Sequence, residues 1–216
     1  MAMVRTSFTV VRHGETEWNL QGLHQGILDS PLTDRGVEQA QHVAELLRKN
    51  FFDRFYSSDL GRAVQTAQII APAVKLAPTC DRRLRERNLG DLAGLTIEQF
   101  RAANPEACAQ YIKRDPDYII PGGESAAQAY ARSVACFEEI AQKHPGESIL
   151  VITHGFVLEY LLRHSLGIPL GQKIRFSLKN CGINRFIKTD HEWMLDTWGE
   201  VGTSAMAQQT AFTGTY

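Results

Sequence analysis

Two histidines in this sequence, His13 and His154, each follow an apolar run after one intervening residue and stand directly before a glycine. The first run ends in VVRHG and the second in VITHG. Short uncharged runs rich in Val and Ile predict buried β-strands, so both histidines are expected at strand ends. The carboxyl ends of parallel strands share one edge of an open α/β sheet, and ligands bind there. The sequence therefore predicts two imidazoles at one ligand-binding edge.

Two arginines are expected beside these histidines. Arg12 precedes His13 directly, and burying two adjacent cationic groups is costly unless an anion or a carboxylate receives them. Arg62 falls in the first turn of a predicted helix, SDLGRAVQTAQII, and a helix N-terminus itself favours anions. A single strand-end histidine is more often structural, and a single arginine is more often a surface cation. The repeated strand–His–Gly unit favours a phosphate site surrounded by all four side chains.

A metal centre is the main alternative use of the two histidines. Glu15, Glu86 or Asp59 could complete such a ligand set. A fixed arginine cation directly before the first histidine would oppose a divalent metal, so we predict that the site holds no metal.

The surrounding pattern predicts how these residues are positioned. Thr33 resembles a helix N-cap, and the apolar residues that follow it recur at helical spacing. FDRFYSS, VKLAP and ESILVITHG are predicted as further strands, and IRFSL, INRFIK and EWMLDTW as closing strands. Residues 96–120 are predicted to form helices outside the main layer. Strands alternating with amphipathic helices favour an α/β fold, a three-layer α/β/α sandwich with a mostly parallel central sheet.

Composition limits the classes of protein that fit. The 216 residues include 23 basic and 24 acidic side chains, a balance that argues against a general nucleic-acid partner. Four separated cysteines without a CxxC pair indicate a reducing compartment. No signal-peptide pattern or membrane-length apolar run is present, so we expect a cytoplasmic protein without a membrane partner. Residues 1–198 are expected as one domain and residues 199–216 as a mobile tail, with a homodimer left open.

Several motifs occur in an order that is typical of one family. VVRHGETEWN, HQGILDSPLTDRG, SSDLGRAVQTA, LRERNLGDLAGLT, PGGES and VITHG span about residues 8–156, and NCGINRF follows. This set resembles the histidine phosphatase superfamily, which includes the cofactor-dependent phosphoglycerate mutases. It is most similar to the short bacterial branch labelled "phosphoglycerate mutase 2". The RHG triplet alone would be a weak signal, whereas the ordered set is specific, and it implies a phosphoglycerate mutase-like fold.

The resemblance implies a role for each motif residue. His13 would be the nucleophile that becomes a phosphohistidine, and a neutral imidazole can serve in this way. Arg12, Arg62 and His154 would hold the phosphoryl oxygens, and Glu86 would be the proton donor for the leaving group. The matched motifs also contain the candidate substrate-binding residues Glu15, Thr16, Asn19, Gln25, Gly26 and Gly155.

The acceptor of the phosphoryl group is less strongly indicated. Phosphoglycerate mutases of this family usually carry an Asn-Lys pair where Thr96 stands, and an arginine pair further on, where only Lys113 and Arg114 form a basic doublet. We therefore expect a phosphatase that needs no cofactor and acts on a small phosphorylated metabolite. The alternative is a mutase primed by 2,3-bisphosphoglycerate. A more distant alternative, a non-catalytic phospho-ligand binding protein, would be expected to lack His13 or Glu86.

Overall fold

The computed structural model describes residues 4–201 and contains a six-stranded sheet. In chain order the strands are β1 (Thr6–Arg12), β2 (Arg54–Ser57), β3 (Thr79–Cys80), β4 (Ser148–Thr153), β5 (Ile183–Lys188) and β6 (Trp193–Glu200). Their spatial order is β3-β2-β4-β1-β5-β6. The first four strands are parallel, and β5 and β6 add an antiparallel edge. The predicted mostly parallel α/β sheet is confirmed.

Helices cover both faces of this sheet. They are α1 (Glu17–Leu20), α2 (Asp34–Leu47), α3 (Gly61–Val74), α4 (Ile97–Ala103), α5 (Pro105–Ile112), α6 (Ala126–Lys143) and α7 (Gly155–Leu166). Side chains alternate along β1, so that Phe8 and Val10 join the core under α6 and α7. Val11 joins the core under α2 and α3 instead. This period-two alternation produces the predicted three-layer sandwich.

Short-range capping starts the helices where the sequence indicates. The Thr33 side chain accepts a hydrogen bond from the backbone N–H of Gly36 at 2.9 Å, which caps α2. Ser125, in the PGGES motif, forms a reciprocal capping box with Gln128 at the start of α6. These bonds satisfy N–H groups that have no partner inside the helix.

Two predicted strands are wrong. In VKLAP, Val74 is the last residue of α3 and Lys75 is left-handed with φ 58°, so the strand is confined to the two residues of β3. IRFSL, residues 174–178, forms no strand. Its apolar pattern reflects burial instead, because Leu178 packs into the core and its carbonyl accepts a hydrogen bond from Arg12. An apolar run reports burial without specifying a strand partner.

The chain end is ordered slightly further than predicted. β6 continues through Glu200, two residues beyond the expected domain end at 198. The remaining part of the predicted mobile tail, residues 202–216, lies outside the described residues.

The segment between β3 and α6 carries α4 and α5, which share a small core of their own around Leu92, Phe100 and Cys108. We call residues 97–123 the cap, and it stands outside the main layer as predicted.

Three properties bear on the classes considered above. Within residues 4–201, no helix combines the length and apolar character needed to cross a membrane. The same part of the chain contains no group of three or more His, Cys, Asp or Glu side chains arranged to hold a metal ion. All four cysteines are unpaired, and only Cys80 is exposed.

The end of β1 packs directly against the start of α2 through two glycines. A Cβ atom on Gly14 would lie 2.6 Å from the carbonyl oxygen of Gly36, and one on Gly36 would lie 2.0 Å from the carbonyl oxygen of Glu15. Gly14 does not have a positive φ. Glycine at this position therefore serves the close backbone approach, which places the loop after β1 against α2, and not a left-handed turn.

We expect Gly36→Ala to lower the free energy of unfolding by about 1–3 kcal/mol, because the new methyl group overpacks a rigid backbone contact. Helix propensity alone favours alanine by about 1 kcal/mol at a helical position. Urea denaturation of the wild type and of Gly36→Ala shows whether the substitution lowers or raises the free energy of unfolding. Gly171→Ala is the matched control, because its Cβ would meet only ordinary contacts, the nearest at 3.6 Å. A Gly36→Ala protein more stable than the wild type would contradict the packing argument.

Candidate active site

The parallel strands β2, β4 and β1 are neighbours and bring the four predicted residues together. Arg12 is the last residue of β1, and His13 follows it. His154 follows β4 and is the N-cap of α7, and Arg62 lies in the first turn of α3 after β2. The rings of His13 and His154 have centroids 5.3 Å apart. All four side chains are buried, so the sequence prediction of one cationic cluster is supported by the arrangement.

The tautomer of His13 follows from its hydrogen bonds. Nδ1 lies 2.7 Å from the carbonyl oxygen of Gly14, which can only accept, so Nδ1 carries the proton. Nε2 then has the lone pair and accepts from Nε of Arg62 at 3.3 Å. Burial lowers the pKa of His13 well below 6.5, and Arg62 and Arg12 lower it further. His13 is therefore a neutral imidazole with an available Nε2.

Arg62 is held by three residues of the loop before α2. Its Nη1 donates to the carbonyl of Leu28 at 2.7 Å and to the Asp29 carboxylate at 2.9 Å, and Nη2 donates to the carbonyl of Gly26 at 2.8 Å. The Asp29 carboxylate also accepts from the backbone N–H groups of Gly61 and Arg62. It thereby caps α3, whose own N-cap residue supplies no side-chain bond. Sequence reasoning missed Asp29: it lies in the quoted HQGILDSPLTDRG motif, but nothing in that motif shows that its carboxylate reaches Arg62.

Two buried donors in the cluster have no partner among the described residues. Nη1 of Arg12 donates to the Leu178 carbonyl at 2.6 Å, but its Nε makes no hydrogen bond. Nδ1 of His154 makes none either. A Cβ on Gly155 would lie 3.8 Å from Nε of Arg12, so this predicted site residue leaves room beside the cluster. Buried donors without partners are costly, and an oxyanion between them would satisfy both.

Ser58 determines the tautomer of His154. Its hydroxyl oxygen accepts from the backbone N–H of Leu60 at 3.3 Å and lies 2.7 Å from Nε2 of His154. No other acceptor for the hydroxyl proton is present among residues 4–201, so we infer that the hydroxyl donates to Nε2, which leaves the proton of this imidazole on Nδ1. Burial, followed by Arg62 and His13, lowers the pKa of His154 well below 6.5. Sequence reasoning did not assign this role to Ser58.

Glu86 lies at the edge of the cluster. Its carboxylate accepts from the backbone N–H of Arg87 at 3.0 Å and from that of Phe156, in the first turn of α7, at 3.2 Å. Burial raises the pKa of Glu86, and Arg62, these two N–H groups and Arg12 oppose the rise. The net direction is a raised pKa, which is the direction that a general acid needs.

Among residues 4–201, the arginines next to Glu86 in sequence form no ion pair with its carboxylate. Arg83 pairs with Asp81 at 2.7 Å. Arg85 pairs with Asp59 at 2.6 Å, so Asp59 is also unavailable as the metal ligand considered above. The Glu86 side chain is left facing the site.

The substrate-binding candidates mainly organise the loop after β1. Gln25 donates to the hydroxyl of Thr16 at 2.8 Å, and the Thr16 backbone N–H donates to the Asn19 side chain at 3.2 Å. Asn180 links this network to the site, because its amide donates to Asn19 at 3.2 Å and to the His13 carbonyl at 3.0 Å. Gly26 contributes its carbonyl to Arg62, as described above. Asn180 lies in the NCGINRF stretch, which sequence reasoning matched without assigning a residue.

Glu15 does not join the cluster. One carboxylate oxygen accepts from the Thr33 hydroxyl at 3.0 Å, and the other lies 3.7 Å from Nη1 of Arg35. Its side chain therefore faces the first turn of α2. The structure supports a positioning role for Glu15 rather than the predicted contact with substrate.

Together, the fold and the site define an α/β protein whose sheet edge carries two neutral histidines, two buried arginines and a buried carboxyl group with a raised pKa. This set can bind a tetrahedral oxyanion and act on a phosphoryl group. The chain belongs to the histidine phosphatase superfamily: the sequence model of its branch 1 matches residues 8–201. The resemblance stated from the motifs is thereby confirmed.

Individual relatives agree with this placement. The phosphoglycerate mutase-like protein 4 of Arabidopsis thaliana is 43% identical over 196 residues, which cover 89% of this chain and 84% of that protein. The structure of Bacillus stearothermophilus YhfR matches with a TM-score of 0.84 at 29% identity, over 91% of this chain and 98% of that one. A mycobacterial glucosyl-3-phosphoglycerate phosphatase matches with a TM-score of 0.78 at 29% identity, over 92% and 100%.

We expect Ser58→Ala to release the tautomer of His154 and to weaken binding of orthovanadate by about tenfold, the effect of one lost charge-assisted hydrogen bond. Nitrogen NMR of the imidazoles should show one Nδ1–H tautomer in the wild type and a mixture in the variant. Ser165→Ala is the control, because this hydroxyl bonds to the Leu162 carbonyl within α7. A single unchanged tautomer with unchanged vanadate affinity would refute the role of Ser58.

Proposed function

We propose that the protein is a phosphomonoesterase that moves the phosphoryl group of a small phosphorylated metabolite first to His13 and then to water. One observation carries the proposal: Nε2 of a neutral His13 lies among Arg12, Arg62 and the unpartnered Nδ1–H of His154. In-line phosphoryl transfer requires an unprotonated nucleophilic atom, here Nε2, next to groups that donate hydrogen bonds to the phosphoryl oxygens.

In the first step, the Nε2 lone pair of His13 attacks phosphorus while the bond from phosphorus to the ester oxygen breaks. Protonated Glu86 gives its proton to that oxygen, so the leaving group departs as an alcohol. Arg12 and Arg62 neutralise the charge on the phosphoryl oxygens. The Gly14 carbonyl, which accepts from Nδ1–H, stabilises the positive charge that the imidazole gains.

In the second step, water attacks the phosphohistidine. Glu86, now a carboxylate, accepts a proton from this water, and the bond from phosphorus to Nε2 breaks. Inorganic phosphate leaves, and both residues return to their starting protonation states. These two reaction steps need no cofactor. We also propose that the protein acts in the cytoplasm.

A second candidate is phosphoglycerate mutase activity, which the name of the 43% identical plant relative favours. In that reaction 2,3-bisphosphoglycerate would prime His13, and a sugar-acid hydroxyl would replace water. The basic doublet of this chain is divided: Arg114 lines a cavity together with Arg87 and Phe156, whereas Lys113 is exposed and bonds to Gln110. We rank hydrolysis first for this reason. A purely binding function has less support, because both His13 and Glu86 are present.

We expect Glu86→Gln to lower kcat/KM by about 10²–10⁴-fold for alkyl phosphates, whose leaving oxygen needs a proton. The loss should be much smaller for 4-nitrophenyl phosphate, because nitrophenolate leaves without one. In the wild type, kcat/KM for alkyl phosphates should fall as pH rises through the raised pKa of Glu86, and the variant should lack this limb. Exposed Glu38→Gln is the control. Equal losses with both substrates would argue against Glu86 as the acid.

We expect brief incubation with a ³²P-labelled phosphomonoester to leave an acid-labile, base-stable adduct on the wild type and none on His13→Ala. Label remaining on the variant would show that another residue is the nucleophile. The same preparation should hydrolyse aryl phosphates faster than it isomerises 3-phosphoglycerate, with or without 2,3-bisphosphoglycerate. Rapid bisphosphate-dependent isomerisation would establish the mutase candidate instead.

A further inference from the structure

The backbone at Glu86 belongs to no helix or strand. It lies in the LRERN stretch, between one 3₁₀ turn at Arg82–Leu84 and a second at Gly90–Leu92. We call residues 83–88 the acid loop. A general acid must stand within hydrogen-bond reach of the oxygen that it protonates. Because neither a helix nor the sheet fixes this backbone, contacts from other parts of the fold must hold it in place.

One guanidinium binds three carbonyls of the acid loop. Arg132, in the second turn of α6, donates from Nη1 to the carbonyl of Arg83 at 2.7 Å and to that of Arg85 at 2.9 Å. Its Nη2 donates to the carbonyl of Glu86 itself at 3.4 Å. A single side chain therefore holds the backbone at the acid and at two positions before it.

The remaining carbonyl of this run is held by the sheet. The hydroxyl of Thr153, the last residue of β4, donates to the carbonyl of Leu84 at 2.8 Å. His154 of the cationic cluster follows Thr153 directly. The acid loop is thus bound on one side to the strand that carries part of the cluster and on the other side to α6. Arg132 makes three of these four bonds, so it is the main link.

The PGGES motif supplies the counter-charge for Arg132. The Glu124 carboxylate lies 2.6 Å from Nη2 of Arg132, and no other carboxylate among residues 4–201 forms an ion pair with this guanidinium. Oε1 of Glu124 also accepts from the backbone N–H of Asn88 at 2.9 Å, and the Glu124 N–H donates to the Asn88 carbonyl at 3.0 Å. Glu124 therefore orients the guanidinium and holds the far end of the acid loop.

The arrangement favours a role in positioning over a role in the core. The Arg132 and Glu124 side chains are 24% and 21% exposed, and an ion pair at such exposure contributes little to stability by itself. The three carbonyl bonds are therefore the main consequence of Arg132. They also require an arginine, because a planar guanidinium presents its donors in fixed directions and can bind several acceptors at once.

We propose that Arg132 is the positioning residue of the general acid. It holds the acid loop so that the Glu86 carboxyl meets the ester oxygen of the substrate, and Glu124 orients it. Its bond to Glu86 goes to the backbone carbonyl, so Arg132 acts through Glu86 and touches no reacting atom. This inference rests on the proposed phosphomonoesterase activity and adds a residue to its mechanism.

Benzyl phosphate and 4-nitrophenyl phosphate test the proposal, because only the benzyl alkoxide needs a proton in order to leave. We expect Arg132→Met to lower kcat/KM for benzyl phosphate by about 10–100-fold, mainly through kcat, since a small displacement of a reacting group has an effect of this size. The loss with 4-nitrophenyl phosphate should be much smaller. The ratio of the two losses is the measured quantity, and it does not depend on the fraction of the variant that is folded.

Three further variants assign the change in this ratio to Arg132. Arg132→Lys keeps the charge but loses the fixed donor directions, so it should recover part of the ratio. Arg132→Met added to Glu86→Gln should leave the ratio where Glu86→Gln alone sets it, because no acid remains to be positioned. Arg83→Met is the matched control and should keep the wild-type ratio. The Arg83 side chain also links the acid loop to α6, through an ion pair with Glu139, but it binds no carbonyl of the loop.

Equal losses with both substrates in Arg132→Met overturn the proposal, since Arg132 would then only support the fold. A ratio that changes as much in Arg83→Met, or that falls further when Arg132→Met is added to Glu86→Gln, also overturns it. If Arg132→Met does not fold, Arg132→Lys carries the same comparison with a smaller expected change. A wild-type ratio in Glu86→Gln contradicts the assignment of the acid instead, and a wild type that hydrolyses neither substrate contradicts the proposed function.

Discussion

The site depends on positive charge that the fold buries at the carboxyl edge of the sheet. Arg12 and Arg62 are almost fully enclosed, and their hydrogen bonds go mainly to backbone carbonyls. Among residues 4–201, only Asp29 forms an ion pair with either of them. Carbonyl dipoles satisfy the donors without cancelling two full charges, so a positive field remains where a phosphate would sit. Neutral histidines and unpartnered donors around that point follow from the same constraint.

Burial acts in opposite directions on the pKa values of His13, the proposed nucleophile, and Glu86, the proposed acid. It disfavours the charged form of each, which lowers the pKa of His13 and raises that of Glu86. The arginines strengthen the first shift and moderate the second. A nucleophile without its proton and an acid with its proton can therefore coexist over one pH range, which covalent phosphoryl transfer with leaving-group protonation requires.

The described residues form two parts, the main layer with its buried cluster and the cap. The first is built on strand ends and on the close contact between Gly14 and Gly36, where a methyl group does not fit. The second is the cap, which has its own apolar core and meets the first part at neighbouring residues, Glu86 and Arg87. A cap of this kind can change its cavity without disturbing the buried cluster, because the two are held by different contacts.

Sequence alone determined the α/β class, the helix caps and the meeting of His13 with His154, because strand periodicity and capping depend on residues close in the chain. Parallel strands then bring their ends together. Only tertiary structure decided which side chains orient the cluster. Asp29 reaches Arg62 across 33 residues, and Ser58 meets His154 across 96, and no local pattern encodes such contacts. Glu15, adjacent in sequence to the RHG motif, faces α2 for the same reason: side-chain direction depends on what the fold packs against it.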